Sequence, residues 1–373
     1  MDEDGWIGRE QILGPEARSK VPGEFQTQYP HYANPPTLLF ILEILIEKLG
    51  STPPKEAVDL LDDVRNRHLR HKGLAIDYLK DIYPLLKRHY YWYRKTQRGD
   101  IKSYDREAFS KKEGYRWRGR TERHVLTSGL DDYPRAQPPH PAELHTDLIS
   151  WMGMFSRAMR RIADIIGETE DAKDYQSHET AIIRNIDDLH WDDKAQTYCD
   201  STVDDYEESL HVCHKGYISI FPFMTGLIAP ESPRLKPILD LISNSKELWS
   251  DYGIRSLSLK DEHYGTDENY WRSPVWMNMN YLVVKALYDI ATSKSAKNPH
   301  EQQATDMYSR LRVILVENVF NEWQRTGFAW EQYNPETGQG QRTQHFTGWT
   351  SLVVKIMNMP DVKKGAKIEH GEL

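Results

Sequence analysis

Apolar residues recur at three- and four-residue steps along most of the chain. Leu38, Leu39, Ile41, Leu42, Leu45, Ile46 and Leu49 form one stripe, opened by Pro35-Pro36 and closed by Gly50. Prolines in the first turn and a glycine just past the end are helix punctuation. The spacing predicts a second helix over Pro54 to His68. A third runs over Leu74 to Arg94, with Leu74, Tyr78, Ile82, Leu85, Leu86 and Tyr90 on one face. Further helices are predicted over Ala142–Ile166, Asp171–Leu189, Arg234–Leu241, Pro274–Thr292, Glu301–Phe320 and His345–Met357. No segment shows sustained strand alternation, so the expected fold class is all-α.

The connections are longer than the ~2–8 residues usual between packed helices. Thr96–His140, Trp191–Lys215, Asp251–Ser273 and Asn321–Gln344 are polar and rich in Trp, Tyr, Gly and Asp. Long loops in compact domains carry function or are disordered, and aromatic richness favours function. No composition shift marks an interior boundary, so residues 1–373 read as one domain, with a frayed tail over 362–373.

Composition narrows the function. The 373 residues carry a formal charge of −8, against the basic surplus of most nucleic-acid-binding proteins. The longest apolar run, Leu38–Ile46, is far shorter than the ~20 residues of a membrane span. Eleven Trp and 21 Tyr are more than a core needs, and such rings suit ligand clefts. Two cysteines, Cys199 and Cys213, allow one bridge at most. His211-x-Cys213-His214 lacks the second cluster that a structural zinc site requires, so no metal is expected. No phosphate-binding glycine loop or nucleophile elbow occurs, and hydrolysis by paired carboxylates remains.

Four stretches could carry that chemistry. In Ser-Gly-Leu-Asp-Asp-Tyr-Pro-Arg, Gly129 and Pro134 bracket Asp131 and Asp132, with Arg135 alongside. Adjacent carboxylates on a constrained loop point apart, so one can face a ligand while the other anchors the loop. In Glu-Leu-His-Thr-Asp-Leu, Glu143 and Asp147 stand i,i+4, hence on one helix face, and Trp151 extends the stripe as a stacking platform. Asn269, Trp271, Arg272, Trp276 and Asn278 offer hydrogen-bonding forks and flat rings, with Trp276 the better candidate for core. Glu331 lies between Trp330 and Tyr333, and Trp349 opens a later helix.

These stretches, with Gly-Trp-Ile-Gly-Arg-Glu-Gln-Ile-Leu-Gly near the start and Ala-Asn-Pro-Pro-Thr-Leu after it, resemble the processing α-glucosidases of glycoside hydrolase family 63. The resemblance spans nearly the whole chain. It implies an (α/α)6 toroid, incomplete because the family's N-terminal β-sandwich and first barrel helices lie outside this sequence. It also implies an inverting exo-α-glucosidase that removes the terminal α-1,2-linked glucose of Glc3Man9GlcNAc2 in the endoplasmic reticulum lumen. The partner is then a glucosylated high-mannose N-glycan on nascent glycoproteins, and no cofactor is needed. Asp131 becomes the general acid, with Asp147 its main rival, and Glu331 the general base. Asp132, Arg135, Glu143, Asp147, Trp151, Trp271, Arg272, Trp330 and Trp349 become substrate contacts. Rival readings are a carbohydrate-binding protein without turnover, a family 63 enzyme for a smaller glucoside, and a helical scaffold.

Overall fold

The computed structural model describes residues 1–362 apart from 11, 22, 50–70 and 296. Its backbone divides into two compact units. The first comprises Met1–Asp131, Ala136–His190 and Asp200–Leu210; the second comprises Asp132–Arg135, Trp191–Cys199 and His211–Leu373.

The first unit is built on helices α1 (Gly14–Lys20), α2 (Leu39–Leu49), α3 (Lys72–Thr96), α4 (Thr146–Ile166) and α5 (Thr169–His190). Its centre is α4, where Leu148, Ile149, Met152, Phe155, Met159 and Ile162 are all buried. Both α3 and α5 pack on it. The α4–α5 connection turns sharply because Gly167 adopts φ +90°, the left-handed C-terminal conformation that glycine reaches without steric cost. The predicted Pro54–His68 helix lies outside the described residues.

The start of α4 corrects the expected boundary at Ala142. Leu144 is extended and exchanges two backbone hydrogen bonds with Ser201, at 2.8 and 3.0 Å. The amide of Thr146 donates to Asp200 Oδ1 at 2.9 Å. This distant strand takes the backbone groups a further helical turn would have used, so the helix begins at Thr146.

The second unit packs α6 (Leu235–Ser243), α7 (Met277–Ala291), α8 (Glu301–Thr326) and α9 (Leu352–Met357) around a core that includes Leu239, Val283, Leu287, Leu311 and Leu315. Helix α8 runs six residues past the expected Phe320. Its last turn is polar, but Glu322 folds inward to accept the Gly340 amide at 2.8 Å. Gly327 then ends the helix at φ +79°.

Three antiparallel ladders modify the helix-only expectation in this unit: β1 (Trp191–Asp192) with β2 (Thr197–Tyr198), β3 (Trp249–Ser250) with β4 (Gly253–Ile254), and β5 (Trp330–Tyr333) with β6 (Gly340–Gln344). Strands of two to five residues are too short for a period-two pattern to emerge from sequence. Beyond its own ladder, β5 docks on Val275, whose amide donates to Tyr333 O at 2.8 Å.

Cys199 and Cys213, 14 positions apart in the sequence, form a disulfide. A loop of that length restricts the unfolded chain by about 3 kcal/mol in the loop-entropy treatment. Replacing both cysteines by serine should therefore lower unfolding stability by about 2–4 kcal/mol, read from urea midpoints. Reductant should shift the parent's midpoint and leave the variant's unchanged.

Candidate active site

In the second unit the site is built outward from Asp132. Its side chain is 2% exposed. Oδ1 accepts the Trp271 amide at 2.7 Å and Oδ2 the Tyr270 amide at 3.0 Å. Arg272 Nε donates to the Asp132 carbonyl at 2.8 Å. Asp132 is thus the anchoring member of the carboxylate pair, holding a loop 138 positions away. In that loop Asp267 and Asn269 take φ of +51° and +47°, left-handed conformations that short polar side chains tolerate better than most. Arg272 is tied further to Thr266 and Asp267.

The anchored loop delivers three rings. Trp271 stacks on Trp276 with centroids 3.8 Å apart and planes 7° from parallel. Both are buried, so the expected contrast between them is not seen. The Trp271 indole N–H has no hydrogen-bond partner among the described residues. Tyr270 meets Trp276 edge-on at 4.8 Å, and its hydroxyl donates to Glu331 Oε1.

Glu331 sits where the β5–β6 register slips: Trp330 pairs with Gln344, yet Gln332 pairs with Gln341. The extra residue falls in β6, where Arg342 has φ +64°, and such bulges re-aim side chains. Glu331 Oε2 accepts the Thr343 amide at 3.2 Å, while Trp349 Nε1 donates to the Glu331 carbonyl at 2.7 Å. Trp330 Nε1 donates to Thr326 Oγ1 at 3.1 Å. The Arg342 guanidinium lies 5.4 Å from the Tyr270 ring centroid. Glu331 is 7% exposed and, among the described residues, makes no ion pair. A fixed carboxylate held by neutral donors keeps lone pairs for a water or substrate hydroxyl. Arg135, also in this unit, is buried.

The first unit carries a second carboxylate cluster. Glu143 precedes α4 and so does not share a helix face with Asp147, contrary to the i,i+4 reading. Its Oε2 meets Arg120 Nε at 3.2 Å and His145 Nε2 at 2.9 Å, and Oε1 accepts the His140 amide at 2.7 Å. The Trp117 amide donates to His145 Nδ1 at 3.0 Å. That bond makes Nδ1 the acceptor and leaves the proton on Nε2, facing Glu143. Asp147 and Trp151 are buried in the first turns of α4, and Trp151 meets Phe40 edge-on at 5.7 Å.

Asp131 is half-buried, also in the first unit. Its carbonyl accepts the Val125 amide at 2.9 Å, closing a loop that contains the 3-10 turn Leu126–Ser128 and Gly129 at φ +72°. Of the cysteine–histidine run, Cys213 is in the disulfide, while His211 faces Asp192 at 3.2 Å and His214 faces Asp261 at 3.0 Å. Sequence reasoning assigned no role to Tyr270 or His145. The one available signal was their position inside motifs already singled out.

Residues 1–359 match the glycosyl hydrolase family 63 C-terminal domain. The chain is 52% identical over 369 residues to the probable mannosyl-oligosaccharide glucosidase of Schizosaccharomyces pombe, covering 96% of this chain and 45% of that protein. It is 41% identical to the mannosyl-oligosaccharide glucosidase of Saccharomyces cerevisiae, covering 95% and 45%. The chain therefore spans about half the length of these curated relatives. Among solved structures, a family 63 mannosylglycerate hydrolase from Thermus thermophilus in complex with glucose superposes with TM-score 0.63 at 16% identity, covering 96% of this chain and 84% of that one. The neutral trehalase Nth1 of Saccharomyces cerevisiae gives TM-score 0.53 at 14% identity, covering 88% and 63%.

The Glu143 cluster makes a pH prediction. Burial pushes its carboxyl up, but the His145 hydrogen bond, the Arg120 charge and the His140 amide outweigh it, and the pKa falls below the ordinary value. A depressed carboxyl contributes stability that is complete above the unfolded value of about 4.3 and is lost as pH falls through the folded value. Glu143→Gln should cost about 3 kcal/mol at pH 7, since it removes one charge of a buried ion pair. The variant's urea midpoint should also fall less steeply than the parent's between pH 5 and pH 3.

Proposed function

The chain belongs to glycosyl hydrolase family 63, and on that footing we propose that it carries the catalytic machinery of an inverting α-glucosidase. Glu331 is the general base, taking a proton from the water that attacks the anomeric carbon. Asp131 is the general acid, protonating the departing glycosidic oxygen. Inversion requires a water between sugar and base, so the two carboxyls stand ~6.5–9.5 Å apart in the working enzyme. Trp271, Trp330, Trp349, Arg135 and Arg272 line the glucose subsite, Glu143 and Asp147 hold glucose hydroxyls or tune the acid, and Trp151 is a further substrate contact. The helices form part of an (α/α)6 toroid. The observation that carries this reading is Glu331: a buried carboxylate on a register slip, held by the Tyr270 hydroxyl and the Thr343 amide, with no cation paired to it among the described residues.

The substrate is the terminal α-1,2-linked glucose of Glc3Man9GlcNAc2. Support comes from the mannosyl-oligosaccharide glucosidases the chain resembles across 95–96% of its length. The lumen of the secretory pathway is the site of action. The Cys199–Cys213 disulfide supports that placement, because such bonds persist in oxidising compartments.

Glucose release from the triglucosylated glycan tests the assignment. Glu331→Gln and Asp131→Asn should each lower kcat by about 10²–10⁴-fold, and proton NMR of the first product should show β-glucose. A near-parental rate for Asp131→Asn removes that residue as the acid, with Asp147→Asn the next exchange to measure. Glycan binding by calorimetry without any release from the parent chain supports the sugar-binding reading instead.

Tyr270→Phe removes one donor to Glu331 while keeping the ring against Trp276. It should lower kcat by about tenfold, the kinetic equivalent of a hydrogen bond worth about 1.4 kcal/mol, with KM changed less than threefold.

A further inference from the structure

The turn of the β5–β6 hairpin closes a second polar cleft, of about 320 Å³, lying wholly within the second unit. One wall is a face of α8 presenting Glu317, Asn318, Asn321 and Arg325, which recur at the three- and four-residue steps of neighbouring turns. Opposite stand Asp251 and Tyr252, from the β3–β4 turn, and the floor is Gly338.

This cleft is built, not merely left over. Gly338 has φ +73°, and a Cβ there would lie 2.4 Å from Asn318 Oδ1 and 2.5 Å from a Tyr252 ring carbon. Only glycine lets both side chains approach the turn so closely. Asn318 is 8% exposed, lines the cleft, and makes no side-chain hydrogen bond among the described residues. A buried amide normally finds a partner, so an unspent one opening into a cleft marks a place for a ligand group. Glu322 is committed elsewhere, to Arg325 at 2.7 and 2.8 Å and to the Gly340 amide.

We propose that this cleft is a second carbohydrate site that binds a neutral hexopyranose, away from the Glu331 carboxylate. The amides of Asn318 and Asn321 and the carboxylates of Asp251 and Glu317 supply donors and acceptors for hydroxyls, and Tyr252 supplies a flat face for ring C–H groups. Three carboxylates against Arg325 disfavour an anionic ligand. The volume exceeds the ~300 Å³ lower bound of small-molecule sites, enough for one or two sugar rings. Two sources share this chemistry, a mannose arm of the glycan and released glucose.

The test titrates the chain bearing Glu331→Gln with α-1,2-mannobiose, D-glucose and glucose 6-phosphate, read by saturation-transfer NMR. At least one neutral sugar should bind, and glucose 6-phosphate at least tenfold more weakly. Preference for the mannobiose assigns the site to the glycan arm; preference for glucose assigns it to product. Asn318→Ala and the exposed, fold-neutral Asn321→Ala should each raise the dissociation constant at least fivefold. In the parent background both should leave kcat for glucose release unchanged. Neutral-sugar binding that ignores both asparagine variants, equal binding of the phosphate, or no binding at all overturns the proposal. None of those results bears on glucose release, so the glucosidase reading stands or falls separately.

Discussion

One buried carboxylate organises the second unit. Asp132 receives two backbone amides from a loop 138 positions later in the chain, and each amide left unpaired there would cost about 1–3 kcal/mol. Part of the surroundings of Glu331 follows from that attachment. The loop it pins sets Tyr270 beside Glu331, stacks Trp271 on Trp276 and aims Arg272 back at the Asp132 carbonyl. Three residues after Arg272, Val275 becomes the backbone partner of Tyr333. The strand bearing Glu331 is therefore fixed at one end by a side chain and at the other by a ladder.

Glu143 and Glu331 are both buried, yet their surroundings differ. Glu143 is wrapped by a guanidinium, an imidazole N–H and a backbone amide, so its charge is compensated and its geometry over-determined. Glu331 has a phenol hydroxyl and one amide, which orient it without neutralising it. Burial with orientation but without an ion pair leaves the carboxylate lone pairs that a ligand hydroxyl can use. Proximity in composition would not have separated the two; the partners do.

Much of the helical frame was legible in the sequence because apolar spacing is a local property. The Leu74–Arg94 stripe became Lys72–Thr96, and Asp171–Leu189 became Thr169–His190. What escaped was set by distant partners. Glu143 and Asp147 looked like one helix face until Leu144 was seen paired to Ser201, 57 positions on. Tyr270 gave no sign of its role because the carboxylate it meets lies 61 positions later. Trp271 and Trp276 could not be ranked for burial, since each covers the other. The functional stretches were legible as motifs, but the direction of each side chain within them was decided by tertiary contacts.

The order in which the two units are threaded has a consequence for biogenesis. The chain passes between them at 131/132, 135/136, 190/191, 199/200 and 210/211. Neither can be excised as a cassette with one or two cuts, so recombination must transmit them jointly. On the ribosome, the earlier-built unit lacks its last segment, Asp200–Leu210, until residue 210 has emerged. The Leu144 backbone meets its Ser201 partner only after 57 further residues have been added.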